Sequence, residues 1–134
     1  MSNFQEELKL TADKVNSFLK GYFKDQSADN KLYEAMEYGL FSGGKMIRSY
    51  LIQSACKIFN IDEKEYIPIA AAVECVHSYS LIHDDLPSMD NDDFRRGKES
   101  THKAYGEYTA ILAGSSLLTL AFEIISDPKF KIDQ

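Results

Sequence analysis

Tryptophan is absent, and cysteine and proline are scarce: the 134 residues hold two Cys, three Pro and seven Gly. Two cysteines with no CxxC and no His/Cys ligand spacing exclude a disulfide scaffold and a zinc module. Cys56 and Cys75 fall inside apolar helical patterns and are expected as reduced, buried thiols of a cytoplasmic protein. Little proline, no low-complexity tract and 44% hydrophobic residues exclude disorder. Positive charge is also short, with 15 Lys and Arg against 21 Asp and Glu for a net charge of −6. No basic face accumulates, so no nucleic-acid partner is expected, although Lys45/Arg48 and Arg95/Arg96 can hold a small anion. The stretch Met1 to Glu7 has neither a basic nor an apolar region of the signal-peptide kind. The most apolar run, Ala110 to Ile125, is short for a membrane span and is interrupted by Ser115, Ser116, Thr119 and Glu123. It is expected as a buried core helix, and no membrane anchor is expected.

Strand-period segments, internal repeats and domain boundaries are missing as well, so the chain is expected to be all-α, an antiparallel helix bundle forming one domain over 1–134. A first helix, capped by Ser2 or Asn3 with Glu6 and Glu7 in its first turn, carries Phe4, Leu8, Ala12, Val15, Phe18, Leu19 and Tyr22 at helical spacing and ends at Gly21. After a loop over Lys24 to Asn30, a second helix carries Leu32, Tyr33, Met36 and Leu40. The pair Gly43-Gly44 breaks it, and a third helix from about Met46 to Phe59 is expected to pack Ile47, Tyr50, Leu51, Ala55, Ile58 and Phe59. A fourth helix is expected to start near Pro68 and to pack closely through Ala70, Ala71 and Ala72. Thr101 to Tyr105 reads as a short helix, Gly106 as a break and Glu107 to Ser126 as the last long helix, ended by Asp127-Pro128.

Two stretches carry chemistry. In His77-Ser78-Tyr79-Ser80-Leu81-Ile82-His83-Asp84-Asp85-Leu86-Pro87-Ser88-Met89-Asp90, paired carboxylates close a helix, a proline interrupts it and another aspartate follows, with Arg95 and Arg96 just beyond. Carboxylates are the ligands Mg²⁺ takes together with substrate phosphates, and arginine forks onto phosphate oxygens, so a metal-bridged diphosphate site is one reading; a solvated acidic loop is the other. Pro87 should bend the helix and return Asp90 toward Asp84 and Asp85, while Asn91, Asp92 and Asp93 read as loop and cap residues. His77 and Asp84, seven apart, share a helix face, whereas His83 and His102 read as structural histidines. The second stretch, Gly43-Gly44-Lys45-Met46-Ile47-Arg48, places backbone N–H groups, Lys45 and Arg48 at a helix start, a ready anion site. Gly39, Gly44 and Lys45 have P-loop spacing, but Met46 cannot ligate Mg²⁺ and a helix precedes where a strand is needed.

Gly43-Gly44-Lys45-Met46-Ile47-Arg48 and the run from Ala70 to Asp90, followed by Asp92-Asp93-Phe94-Arg95-Arg96-Gly97, resemble the GGKxxR element and the first aspartate-rich motif, in its DDxxxxD form, of the trans-prenyl diphosphate synthases, nearest to the bacterial farnesyl diphosphate synthases. The resemblance implies an isoprenoid synthase helix bundle and a cytoplasmic, homodimeric prenyltransferase. Asp84, Asp85 and Asp90 would hold Mg²⁺ on the allylic diphosphate, assisted by Arg95. Lys45, Arg48, His77 and Arg96 would hold isopentenyl diphosphate. Tyr79 and Ser80 lie where the growing chain descends and would set product length, a bulkier residue at 80 shortening it.

Met46 stands where the family commonly has a basic residue, and Ser49 where it commonly has a proline. After Asp93 the acids Glu107, Glu123, Asp127 and Asp133 form no second DDxxD group. The chain therefore resembles the N-terminal part of such an enzyme, expected to expose helix faces and to dimerise or exchange helices. A His-Asp phosphohydrolase, suggested by His83-Asp84, would need more histidine ligands than His77 and His102. A terpene cyclase would not need Lys45, Arg48 and Arg96. A non-catalytic helical module on the same scaffold remains the alternative from another class.

Overall fold

The computed structural model describes residues 2–24 and 30–130. Six α-helices follow one another: α1 (Ser2–Phe23), α2 (Lys31–Leu40), α3 (Ile47–Ile58), α4 (Glu63–Asp84), α5 (Thr101–Tyr105) and α6 (Glu107–Ser126). Between α4 and α5 lies a hairpin of two-residue strands, β1 (Phe94–Arg95) and β2 (Lys98–Glu99), and a 3-10 turn, Pro128–Phe130, follows α6.

The order of α2, α3, α5 and α6 follows the expected punctuation, with α5 and α6 on their predicted bounds. Other ends differ. α1 passes through Gly21 to Phe23, and both Ser2 and Asn3 already lie inside it, so neither caps it and Glu6 and Glu7 fall beyond its first turn. The predicted 24–30 loop lies outside the described residues apart from its ends; there Asn30 caps α2, its side chain accepting from Leu32 N at 3.0 Å. α4 begins five residues before Pro68, with Glu63 and Glu65 favouring its N-terminus. Pro68 costs it one hydrogen bond but is itself buried in the core. The hairpin corrects the expectation of a plain loop at 97–100. Arg96 (φ 52°) and Gly97 (φ 78°) are both left-handed, the backbone that a two-residue hairpin turn requires.

α4 is the central element, packed against α6 most extensively and also against α3, α1 and α2. Ala70, Ala71 and Cys75 on α4 share one core with Ala110, Ala113, Leu117 and Ala121 on α6 and with Val15, Leu19, Phe23, Met36 and Leu40 from α1 and α2. Small residues on both helices let the axes approach. At Gly114 an added Cβ would lie 2.5 Å from His83 Cδ2, and His83 Nε2 meets the Ile111 carbonyl at 3.1 Å.

α3 corrects the predicted packing face. Ile47, Leu51, Ile58 and Phe59 are exposed, and its buried positions are Ser49 and Gln53. Gln53 is bonded to Thr11 and donates Nε2–H to the Tyr66 hydroxyl at 3.2 Å, while Ser49 is held by Glu74. Buried polar groups need partners, and these partners on α1 and α4 fix the rotation of α3 against its apolar stripe. α6 likewise is core on one face only. Tyr108, Ile111, Leu112, Phe122 and Ile125 are exposed, so the expected buried core helix is buried on one face and open on the other. Among the described residues it is the one helix long and apolar enough to cross a membrane by length and composition.

Candidate functional site

Two clusters meet at the C-terminal end of α4. The first is a cavity of about 640 Å³ walled by the Ser42–Arg48 segment, by Glu74, His77 and Ser78 of α4, and by Arg96 from the hairpin turn. Gly43 (φ 90°) and Gly44 (φ 141°) take backbone conformations that side chains disfavour. A Cβ on Gly44 would stand 2.5 Å from Arg96 Nη1, so the bare Cα is what lets that guanidinium lie against the loop. Arg48 Nη1 lies 3.3 Å from His77 Nε2. A guanidinium has no acceptor, so the ring nitrogen accepts and the imidazole carries its proton on Nδ1. Burial, then the Arg48 charge, lower the His77 pKa below its ordinary value, with Glu74 opposing and Arg96 and Arg95 adding to the fall. The cavity thus brings together the four predicted anion-binding residues, Lys45, Arg48, His77 and Arg96.

The second cluster is the turn after α4. The helix ends at Asp84 rather than bending at Pro87, and the chain coils back: Asp90 N–H donates to the Asp84 carbonyl at 2.8 Å and Asp92 N–H to that of Asp85 at 3.2 Å. Asp84 and Asp90, six residues apart, are therefore neighbours, as the sequence predicted by a different route. Asp84 is half-buried and Asp90 exposed, whereas Asp85 is 2% exposed. Both Asp85 oxygens are taken by Arg95, Nε at 2.8 Å and Nη2 at 2.6 Å, a fork-to-fork pair. That hydrogen bond raises the Arg95 pKa, with the Asp85, Asp92 and Asp84 charges adding to it against burial. Asn91 is left-handed (φ 53°), and Asp93 is tied by backbone to Ser100 and by an ion pair of 3.2 Å to Lys103.

Among the described residues no three His, Cys, Asp or Glu side chains converge as a self-sufficient metal cage. Asp84 and Asp90, whose backbones adjoin, offer the hard carboxylate oxygens that Mg²⁺ takes together with phosphate oxygens and water. Tyr79 packs edge-on to His83 at 4.8 Å, and the Ser80 hydroxyl donates back to the His77 carbonyl at 2.8 Å. His102 is buried with Nδ1 3.0 Å from Ser100 Oγ, a structural histidine like His83. The sequence reading missed Glu74 and Ser78 in the cavity wall. Glu74, one turn before His77, carried the signal in its i, i+3 spacing.

The sequence matches the polyprenyl synthetase family over residues 29–132. It is 50% identical over 113 residues to a farnesyl diphosphate synthase of Geobacillus stearothermophilus, covering 84% of this chain and 38% of that protein. It is 43% identical over 126 residues to the farnesyl diphosphate synthase of Escherichia coli, covering 93% of this chain and 42% of that one. Among solved structures, an FPP/GFPP synthase from Zymomonas mobilis superposes with a TM-score of 0.92 at 39% identity, over 99% of this chain and 48% of that one. A geranyltranstransferase from Thermotoga maritima gives 0.84 at 42% identity, over 89% and 44%. The chain spans less than half the length of each of these relatives. Its helices have the isoprenoid synthase fold of those structures, and the chain belongs to the polyprenyl synthetase family.

Proposed function

We propose that the chain carries the two diphosphate sites of a prenyltransferase that joins an allylic diphosphate, dimethylallyl or geranyl diphosphate, to isopentenyl diphosphate and gives farnesyl diphosphate. The observation that carries the reading is the division of labour between adjacent arginines. The left-handed backbone at Arg96 sends that side chain over Gly44 into the cationic cavity, while Arg95 pairs with Asp85 beside the aspartate turn. Two anion sites thus share one hairpin, which supplies proximity between two bound diphosphates.

Lys45, Arg48, Arg96 and the neutral His77 bind the diphosphate of isopentenyl diphosphate, His77 donating through Nδ1–H while Nε2 accepts from Arg48. Asp84 and Asp90 would hold Mg²⁺, which when bound would supply charge neutralisation to the allylic diphosphate as a leaving group. Asp85 orients Arg95 so that a guanidinium edge is available to the same diphosphate. The allylic C–O bond breaks, the double bond of isopentenyl diphosphate attacks the allylic carbon, and a proton leaves the new C–C product. Tyr79 and Ser80, just before Asp84, line the way of the hydrocarbon tail and set its length. The enzyme is a cytoplasmic homodimer in this reading, and the bare apolar faces of α3 and α6 support contact with further polypeptide.

A non-catalytic helical module on the same scaffold is the second reading; what supports it is that among the described residues no three His, Cys, Asp or Glu side chains form a metal cage. Incubation with Mg²⁺, isopentenyl diphosphate and geranyl diphosphate, following diphosphate release and prenyl products, tests the first reading. Binding of both diphosphates without turnover selects the second. Absence of binding refutes the site itself.

A further inference from the structure

α3 begins without the groups that normally end a helix. Its N-cap, Met46, is left-handed (φ 46°) and makes no side-chain cap bond, and no acid stands in its first turn. The orphan N–H groups of a helix start need acceptors, and an anion there is favoured by the helix dipole. The acceptor comes from the neighbouring helix. Glu74 of α4, 5% exposed, takes the Ser49 hydroxyl on Oε1 at 2.8 Å and the Ser49 N–H at 3.4 Å. Ser49 is wholly buried, one residue beyond Arg48. Serine, unlike proline, does not fix the backbone of a first turn through a ring, so its order has to come from outside.

Glu74 also lines the cavity of Lys45, Arg48 and Arg96. By charge alone a carboxylate there opposes an anion, so its value to such a site lies in order and not in attraction. We propose that Glu74 is a positioning residue of the cationic cavity: its buried carboxylate caps α3 across the helix interface through Ser49 and holds the Lys45–Arg48 turn in the shape that binds. The proposal rests on the reading of this cavity as a diphosphate site.

Calorimetry of the 134-residue chain with inorganic diphosphate and no added metal reads the cavity, and amide hydrogen exchange at Ser49 reads the cap. Glu74→Ala should weaken diphosphate binding about tenfold, the factor carried by one helix cap, and release the Ser49 amide to exchange. Glu74→Gln keeps an oxygen for Ser49 and should restore both binding and protection. Ser49→Ala, which removes the hydroxyl bond to Glu74 and leaves the longer one from the Ser49 N–H, should weaken binding by a smaller factor. Glu74→Ala binding as tightly as the parent or tighter would overturn the proposal, since Glu74 would then act only as a counter-charge. Glu74→Gln as weak as Glu74→Ala would also overturn it, because the effect would follow charge and not the bonds. A parent chain that takes up no diphosphate refutes the diphosphate reading alone; the cap then stands or falls on whether Glu74→Ala exposes the Ser49 amide.

Discussion

Asp85 is where the sequence and the tertiary structure assign different tasks to one carboxylate, and a double-mutant cycle with Arg95 decides between them. Asp85 is 2% exposed and its two oxygens accept at 2.8 and 2.6 Å from one guanidinium. Truncating one member of a fully buried pair costs about 3–5 kcal/mol, because the remaining charge is stranded. The Arg95 side chain keeps 28% of its exposure and part of its hydration, so the expected cost of Arg95→Ala is lower, about 2–3 kcal/mol in urea unfolding at pH 7. Asp85→Asn keeps the shape but turns an amide NH₂ toward a donor and should cost about 2 kcal/mol. The double variant should cost less than the sum, with a coupling of about 2 kcal/mol that changes little with salt. A coupling below about 0.5 kcal/mol, the range of exposed pairs, would refute the clamp. The cycle has a functional arm too. If Asp85 acts through Arg95, Asp85→Asn and Arg95→Ala should weaken Mg²⁺-dependent diphosphate binding by similar factors. Loss confined to Asp85→Asn would make Asp85 a direct metal ligand.

Gly44→Ala should lower diphosphate affinity at least about tenfold in calorimetry, since the φ of 141° is unfavourable to alanine and the new Cβ displaces the Arg96 guanidinium. Gly114→Ala sets about 1 kcal/mol of helix propensity against about 1–3 kcal/mol of overpacking on His83; thermal unfolding should show a net loss, and a gain would refute the contact. The free His77 has a lowered pKa that a bound anion raises, so the complex holds more protons between the two values and diphosphate affinity should rise as pH falls through them, more steeply than in His77→Gln. In the same direction of reasoning, the unfolded histidine protonates first, so the His77 contribution to stability is lost as pH drops below its ordinary 6.5. Burial, with Glu74 adding, pushes the Cys75 thiol up to about 12, so a thiol reagent at pH 8 should label Cys56 in the folded chain and Cys75 only on unfolding.

The sequence by itself determined the order of the helices and which candidate residues gather into two motifs. Apolar spacing and the breaks at Gly43-Gly44, Gly106 and Asp127-Pro128 are local signals, read within a turn or two of the chain. Lys45, Arg48, His77 and Arg96 were legible because they belong to two short motifs, whereas Asp90 nears Asp84 by coiling back after the helix ends and not by the bend expected at Pro87. What only the tertiary structure decided are the choices settled by groups distant in the chain. The rotation of α3 is one: its apolar stripe predicted a buried face, and hydrogen bonds from Ser49 and Gln53 to Glu74, Thr11 and Tyr66 turned that stripe outward. The pairing of Asp85 with Arg95 is another, because the partner ten residues on arrives through a hairpin of two-residue strands too short to leave a strand pattern. Glu74 is the third, an acid in the apolar middle of α4 whose partner, Ser49, is visible only once the start of α3 is laid against it. Helix propensity and motif spacing act along the chain, whereas burial of a polar group is settled by whatever partner the fold brings to it.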